Sequence, residues 1–231
     1  MLFSPLQIVS MTILGGAFFY IRWKRKQDEL KASGGVKPGV PGAPGAPRPP
    51  KPQKSPEEVY MDLRRKALET SPMHLGPAGD VKEDEAYALL MEMGIGNTVM
   101  TLASFANGDA SVYYKNGGGM VGGSSHEPIR KAAKDFVLLA QKALPRMKKT
   151  TDYPAPSPDS VRFYALTPKG VFTVETSRQS LGDAQNALAA MYYGGQEVVS
   201  QMRQVQEERL SETKVMHRKP GAPGGLSEAP Q

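Results

Sequence analysis

No cysteine occurs anywhere in the chain, which excludes disulfides, thiolate metal sites and a thiol nucleophile. The lack of cysteine is compatible with a reducing compartment and does not require an oxidising one. Histidine appears only at His74, His126 and His217; the first and last stand in loop and tail contexts, so a three-histidine metal centre is not expected. No acidic residue precedes Asp28. Neither a P-loop nor a dinucleotide-binding glycine fingerprint is present, and no serine has a recognisable triad setting. The sequence therefore supplies no catalytic residue, no metal site and no cofactor.

What is present is unevenly distributed. Between Arg22 and Lys54 nine basic residues face only Asp28 and Glu29, a local charge of +7. From Ser55 onward twenty basic residues meet twenty-one acidic ones, leaving −1 of the overall +6. The body is thus close to neutral, which argues against a general nucleic-acid surface on electrostatic grounds.

Met1–Ile21 carries no charged side chain and is mostly apolar from Leu6. A helix needs about 20 such residues to cross a hydrocarbon layer. Tyr20 and Trp23 fall where amphipathic rings favour headgroups, and Arg22, Lys24, Arg25 and Lys26 follow at once. A cleavable signal peptide would carry its positive charge ahead of the apolar run and a small-residue cleavage site behind it. The expectation is a retained single-pass anchor over residues 1–26 in contact with the lipid bilayer. The basic flank places its own side in the cytoplasm and the N-terminus outside. A bacterial inner membrane fits best, and a signal anchor of the mitochondrial outer membrane is the other setting of this pattern.

Residues 27–54 are dominated by GGVKPGVPGAPGAPRPPKP, a composition that predicts an extended tether of about 3.1 Å per residue. Three collagen-like triplets are too few for a triple helix, and Arg48–Lys51 (RPPK) is a weak match to a proline-rich recognition motif. A folded domain is expected over 55–215 and a disordered tail over 216–231.

Within that domain Ser55 and Glu58 read as a capping box with Pro56 at the first helical position, opening a helix over about 55–70 whose stripe is Val59, Leu63 and Leu68. Residues 86–93 suit strand or helix by periodicity; a strand is favoured because a meander follows. TVMTLASFA and ASVYY flank Asn107–Gly108, a strong hairpin signal, and Met120–Val121 begins a short strand. Ile129, Ala132, Ala133, Phe136, Val137, Ala140 and Leu144 stripe a helix over about 126–147; Arg130, Lys131, Lys134 and Lys142 lie off the stripe and read as a solvated polar face, with an acidic partner as the alternative. A second hairpin joins Val161–Leu166 to Val171–Glu175. A last helix runs from about Gly182 to Glu212, with Gly194–Gly195 expected to break or kink it. The fold class is α+β: an antiparallel sheet of about five to six strands, meander plus hairpin, packed with two to three helices and preceded by one transmembrane helix.

The most distinctive stretch for ligand binding is the glycine-rich turn Gly117, Gly118, Gly119, Gly122, Gly123, Ser124, Ser125 and His126, which runs straight into a helix. Free amides and a positive dipole end suit an anion or phosphate there. The plain reading is a tight turn with Ser124 and Glu127 as a capping box, and His126 as a surface side chain. Glu83, Asp84 and Glu85 read as a solvated acidic loop. Met91, Met93, Met100 and Met120 read as core. Tyr113–Tyr114 and Tyr192–Tyr193 each put one ring inward and leave one for an interface.

With LLMEMGIG, SFANGDASVYY, NGGGMVGGSSHEPIRKAA and VRFYALTPKGVFTVE in view, residues from roughly Glu57 to Arg203 resemble an uncharacterised bacterial membrane-anchored family. The resemblance implies an anchor, a proline-rich spacer and a domain, and implies no activity. By order of elements alone the body is similar to roadblock and longin-type domains, scaffolds for protein assembly on membranes. The expected role is a membrane-tethered, cytoplasm-facing interaction module, for an unknown protein partner or for self-association. The alternative is a small-ligand or anion-binding domain, enzymatic or not, using the glycine-rich turn.

Overall fold

The computed structural model describes residues 54–182 and 186–216. The expected anchor, tether and tail lie outside the described residues, apart from Lys54 and Met216 at their borders. Among the described residues no helix is long and apolar enough to cross a membrane.

Helix α1 (Pro56–Leu68) starts as expected: the Ser55 hydroxyl accepts the Glu58 amide, and the Glu58 carboxylate accepts the Ser55 amide. Its buried face matches the expected one only in part: Leu68 is buried and Leu63 packs against the core, but Val59 does not. Tyr60, Arg64, Ala67 and Leu68 point inward, while Val59 is 44% exposed and Leu63 only half-buried. An apolar-only pattern misplaces the stripe because its central member is a charged residue with a buried partner.

Pro72–Gly79 forms a 3-10 segment, and a meander follows: β1 (Ala88–Ile95), β2 (Thr98–Phe105), β3 (Ala110–Tyr114) and β4 (Gly119–Met120). Helix α2 (Glu127–Ala143) ends in a 3-10 turn at Leu144–Arg146, shorter than the expected span, and leads into β5 (Lys148–Thr150). β6 (Ser160–Thr167) and β7 (Gly170–Ser177) make the second hairpin, and α3 (Ala187–Met216) closes the described chain. The α+β class and the antiparallel sheet are as expected, but the sheet has seven strands in the order β4-β3-β2-β1-β6-β7-β5. The additional strand is β5, the polar tripeptide KKT, whose identity comes from pairing with β7 and which carries no apolar alternation to announce it.

Side chains alternate between two cores. Leu89, Met91, Met93, Met100, Leu102 and Phe163 meet α2 and α3 on one side, and the expected α2 stripe is buried there from Ile129 to Ala140, with Leu144 partly buried in the turn beyond. Leu90, Ala103, Tyr113, Tyr164 and Leu166 meet α1 on the other. Gly194–Gly195 does not interrupt α3, which is continuous through it. A Cβ at Gly194 would stand 2.6 Å from a Leu139 methyl, and one at Gly195 2.6 Å from the Met91 Cε. The pair lets α3 lie close on α2 and the sheet.

Candidate functional site

The glycine-rich turn closes the outer edge of the sheet. Tyr114 donates its amide to the Gly118 carbonyl (3.1 Å), Tyr113 and Gly119 are register partners, and Gly123 donates to the Ala110 carbonyl (3.1 Å). Gly117, Gly118, Gly119 and Gly122 all have positive φ. At Gly119 the requirement is twofold: φ is 146°, and a Cβ would lie 2.2 Å from the Val112 carbonyl oxygen. Gly123 is held by proximity, since its Cβ would meet Ile129 at 2.5 Å.

The expected capping box does not form. His126 is the N-cap of α2 and makes no side-chain cap bond, and Glu127 pairs with Arg130. The two residues before His126 already lie in the edge-closing turn, which carries the Ser124 hydroxyl away from the first helical amides. Instead the Asp109 carboxylate accepts the amides of Ala110 and Ser124, at 3.0 and 3.4 Å. A protein carboxylate thus stands beside amides that an anion would need. Ser124 and Ser125 are exposed. His126 is half-buried, and its Nε2 accepts from Arg209 on α3 at 2.6 Å. The fold brings all eight residues into one loop, and its geometry is that of an edge closure.

A second polar cluster lies under α1. Tyr113, Thr101, Glu92, Arg162 and Glu175 are register partners across β3, β2, β1, β6 and β7, so they form one row over five adjacent strands. Glu92 is fully buried on the central strand. Arg64 reaches down from α1 and grips it with two bonds, Nε to Oε1 at 2.6 Å and Nη2 to Oε2 at 2.9 Å. Thr101 donates to Glu92 Oε1 at 3.2 Å, and the Tyr60 hydroxyl bonds Thr101 at 2.9 Å. Burial pulls the Arg64 pKa down, but the hydrogen bonds and charge of Glu92 override it and drive the value up, so the guanidinium stays charged.

The row continues outward. Arg162 pairs with Glu175, whose carboxylate also accepts the Ser160 hydroxyl and, at 2.7 Å, the Ser157 amide. Burial would raise the Glu175 pKa; these hydrogen bonds and the Arg162 charge hold it below the usual carboxylate range. The 151–159 loop closes this side, with the Pro154 carbonyl accepting the Tyr164 hydroxyl at 2.6 Å. Burial, reinforced by the Glu92 charge, pushes Tyr60 and Tyr164 up to about 12 and raises Tyr113 further.

Chemically this row is committed. A general base needs a free lone pair facing substrate, and Glu92 already accepts from three donors beneath a helix. Among the described residues no group of three or more His, Asp or Glu is placed to hold a metal ion. Glu83 pairs with Lys169 and Glu85 with Lys82, as befits a surface loop. His74 accepts the Ser71 amide at its own 3-10 turn, and His217 lies outside the described residues.

Sequence reading missed the row. Its signals were Glu92, the lone acid in LLMEMGI, and Arg64, spaced one helical turn from Tyr60. The row's pairing depends on strand register, which no local pattern states. No protein-family model, no curated protein and no solved structure matches the chain.

Proposed function

We propose that the chain is a single-pass, membrane-tethered protein whose folded domain faces the cytoplasm and serves as an interaction module. The carrying observation is a division of labour along the sequence. An uncharged apolar stretch ending in RWKRK is joined by a proline- and glycine-rich tract to a near-neutral domain. Two features of that domain support the reading. Its buried ion pairs and hydroxyls are bonded chiefly to one another, as expected of groups that hold the fold together. Large apolar side chains also remain on the α2 and α3 layer, where Leu138 is 65% and Tyr193 40% exposed. Between them Gly194 lies against Phe136 and Leu139 of α2. Tyr193 rests edge-on against Tyr192 (5.4 Å between centroids), so its ring is held in place for contact. A long tether raises the local concentration of whatever the domain meets near the bilayer without fixing its orientation.

A photo-crosslinking residue placed at Leu138 or Tyr193 of the full chain, in its native membrane, tests this. One discrete adduct from these positions, and none from Lys66 on α1, is the expected result. The same smear from all three positions contradicts it.

A further inference from the structure

Ten lysines and arginines of the described chain lie within 4.0 Å of a carboxylate. Arg209 is engaged with His126. Of the seven others whose side chains are described, four are Lys142, Arg146, Lys148 and Lys149, confined to eight consecutive positions where α2 ends, turns and becomes β5. All four are exposed, and none has an acidic partner among the described residues. The nearest acid in sequence is Asp152, just past β5. Across the neighbouring β6–β7 turn, Lys169 is occupied by Glu83, while the Lys149 chain lies along Gly170. A near-neutral domain therefore concentrates unneutralised positive charge on one edge of its sheet.

Lysines on an edge strand discourage strand-to-strand aggregation, and that accounts for Lys148 and Lys149. It does not account for Lys142 and Arg146, which precede the strand. From this placement we infer that the α2–β5 edge is a docking surface for an anionic lipid headgroup layer. The inference rests on the tethered reading above and deepens it: the edge orients the domain against the bilayer that anchors it. Charge complementarity is the argument. Each basic residue near an anionic surface strengthens attraction about fivefold. Four within one edge suffice to bias a domain already confined to that membrane.

The absence of native cysteine makes a unique label straightforward. In the full chain, Thr151→Cys, exposed and next to β5, carries a fluorophore, and the vesicles carry a headgroup quencher. Vesicles of phosphatidylcholine are compared with vesicles that also contain phosphatidylserine. Quenching several-fold stronger in the anionic vesicles is expected. It should fall to the neutral-vesicle level in K142Q/R146Q/K148Q/K149Q, and when salt rises from about 0.1 M to about 1 M. The half-variants K142Q/R146Q and K148Q/K149Q should each lose part of it, guarding against a misfolded quadruple variant. Lys66→Gln, an exposed and unpaired lysine on α1, should leave it unchanged. Equal quenching in both lipids, or quenching indifferent to the quadruple change, overturns the inference and assigns the edge to an acidic protein. Failure to float with neutral vesicles would instead refute the anchor. The edge would then be upheld only if the chain floated with anionic vesicles through these four residues.

Discussion

The two faces of the sheet are built on different principles. Toward α2 and α3 the core is apolar and adaptable, with six buried methionines at Met91, Met93, Met100, Met147, Met191 and Met202, and its helices are brought close by Gly194–Gly195. Toward α1 the core is crossed by a row of hydroxyls and charges, and the helix that covers it contributes an arginine. Apolar burial is nondirectional and tolerates sliding, whereas a two-pronged Arg–Glu contact fixes one position. The comparison suggests that α1, the helix directly beyond the tether sequence, is held in register by polar geometry. The two-helix layer, by contrast, is held by volume.

The largest effects should come from truncating the centre of either face. Glu92→Ala leaves the buried Arg64 charge without its carboxylate, with only a 3.4 Å bond to the Pro154 carbonyl and the face of the Tyr164 ring beside it, and is expected to cost about 3–5 kcal/mol; Phe136→Ala opens a cavity of similar cost, about 3–5 kcal/mol. Rescue separates them. Arg64→Met with Glu92→Leu should recover most of the stability in urea unfolding, because paired apolar replacement of a buried ion pair is often near neutral. A double variant as unstable as Glu92→Ala would show that the row contributes energy as well as register. Met91→Leu, on the adaptable face, should cost less than about 1.5 kcal/mol.

The sheet edge comes next. Gly119→Ala combines an unfavourable φ with overlap of the Val112 carbonyl, and about 2 kcal/mol of destabilisation is expected in thermal unfolding. A neutral result would show that the glycine-rich turn is not tightly held against β3.

Titration probes the polar row beneath α1. Tyr60 and Tyr164 have folded-state values near 12 against 10.0 for an exposed tyrosine. The folded state therefore binds the extra proton, and this contribution is complete below pH 10 and lost as pH rises toward 12. Glu175 is shifted the other way, so its contribution is present above the ordinary glutamate value of 4.5 and lost as pH falls through its lower folded value. Tyrosinate absorbance should rise for these rings only together with unfolding; a rise while the fold persists would contradict their burial. The smallest effect is Tyr60→Phe, which removes one buried hydroxyl bond and should cost about 1 kcal/mol.

Much of this architecture was readable from local chemistry. The Ser55–Glu58 cap, the Asn107–Gly108 hairpin and the α2 stripe follow from neighbours within a few residues, and all three form. What was unreadable depends on distant partners. β5 is a strand only because β7 lies beside it, and Arg64 is an inward residue only because Glu92 waits on β1. The glycine-rich turn was legible as a special backbone. Its role was not, because Asp109 and the β3 edge, which occupy its amides, are defined by the fold.

The claim on which the functional account depends is that the domain stands on the cytoplasmic side of a bilayer, joined to it through residues 27–54. Protease added to the cytoplasmic face of intact membranes tests it most directly. The account expects cleavage within 27–54, with an intact fragment spanning the 55–216 domain released into solution and the apolar segment retained in the pellet. A full-length chain already in the supernatant before protease is added, or a domain protected from it, would contradict the account.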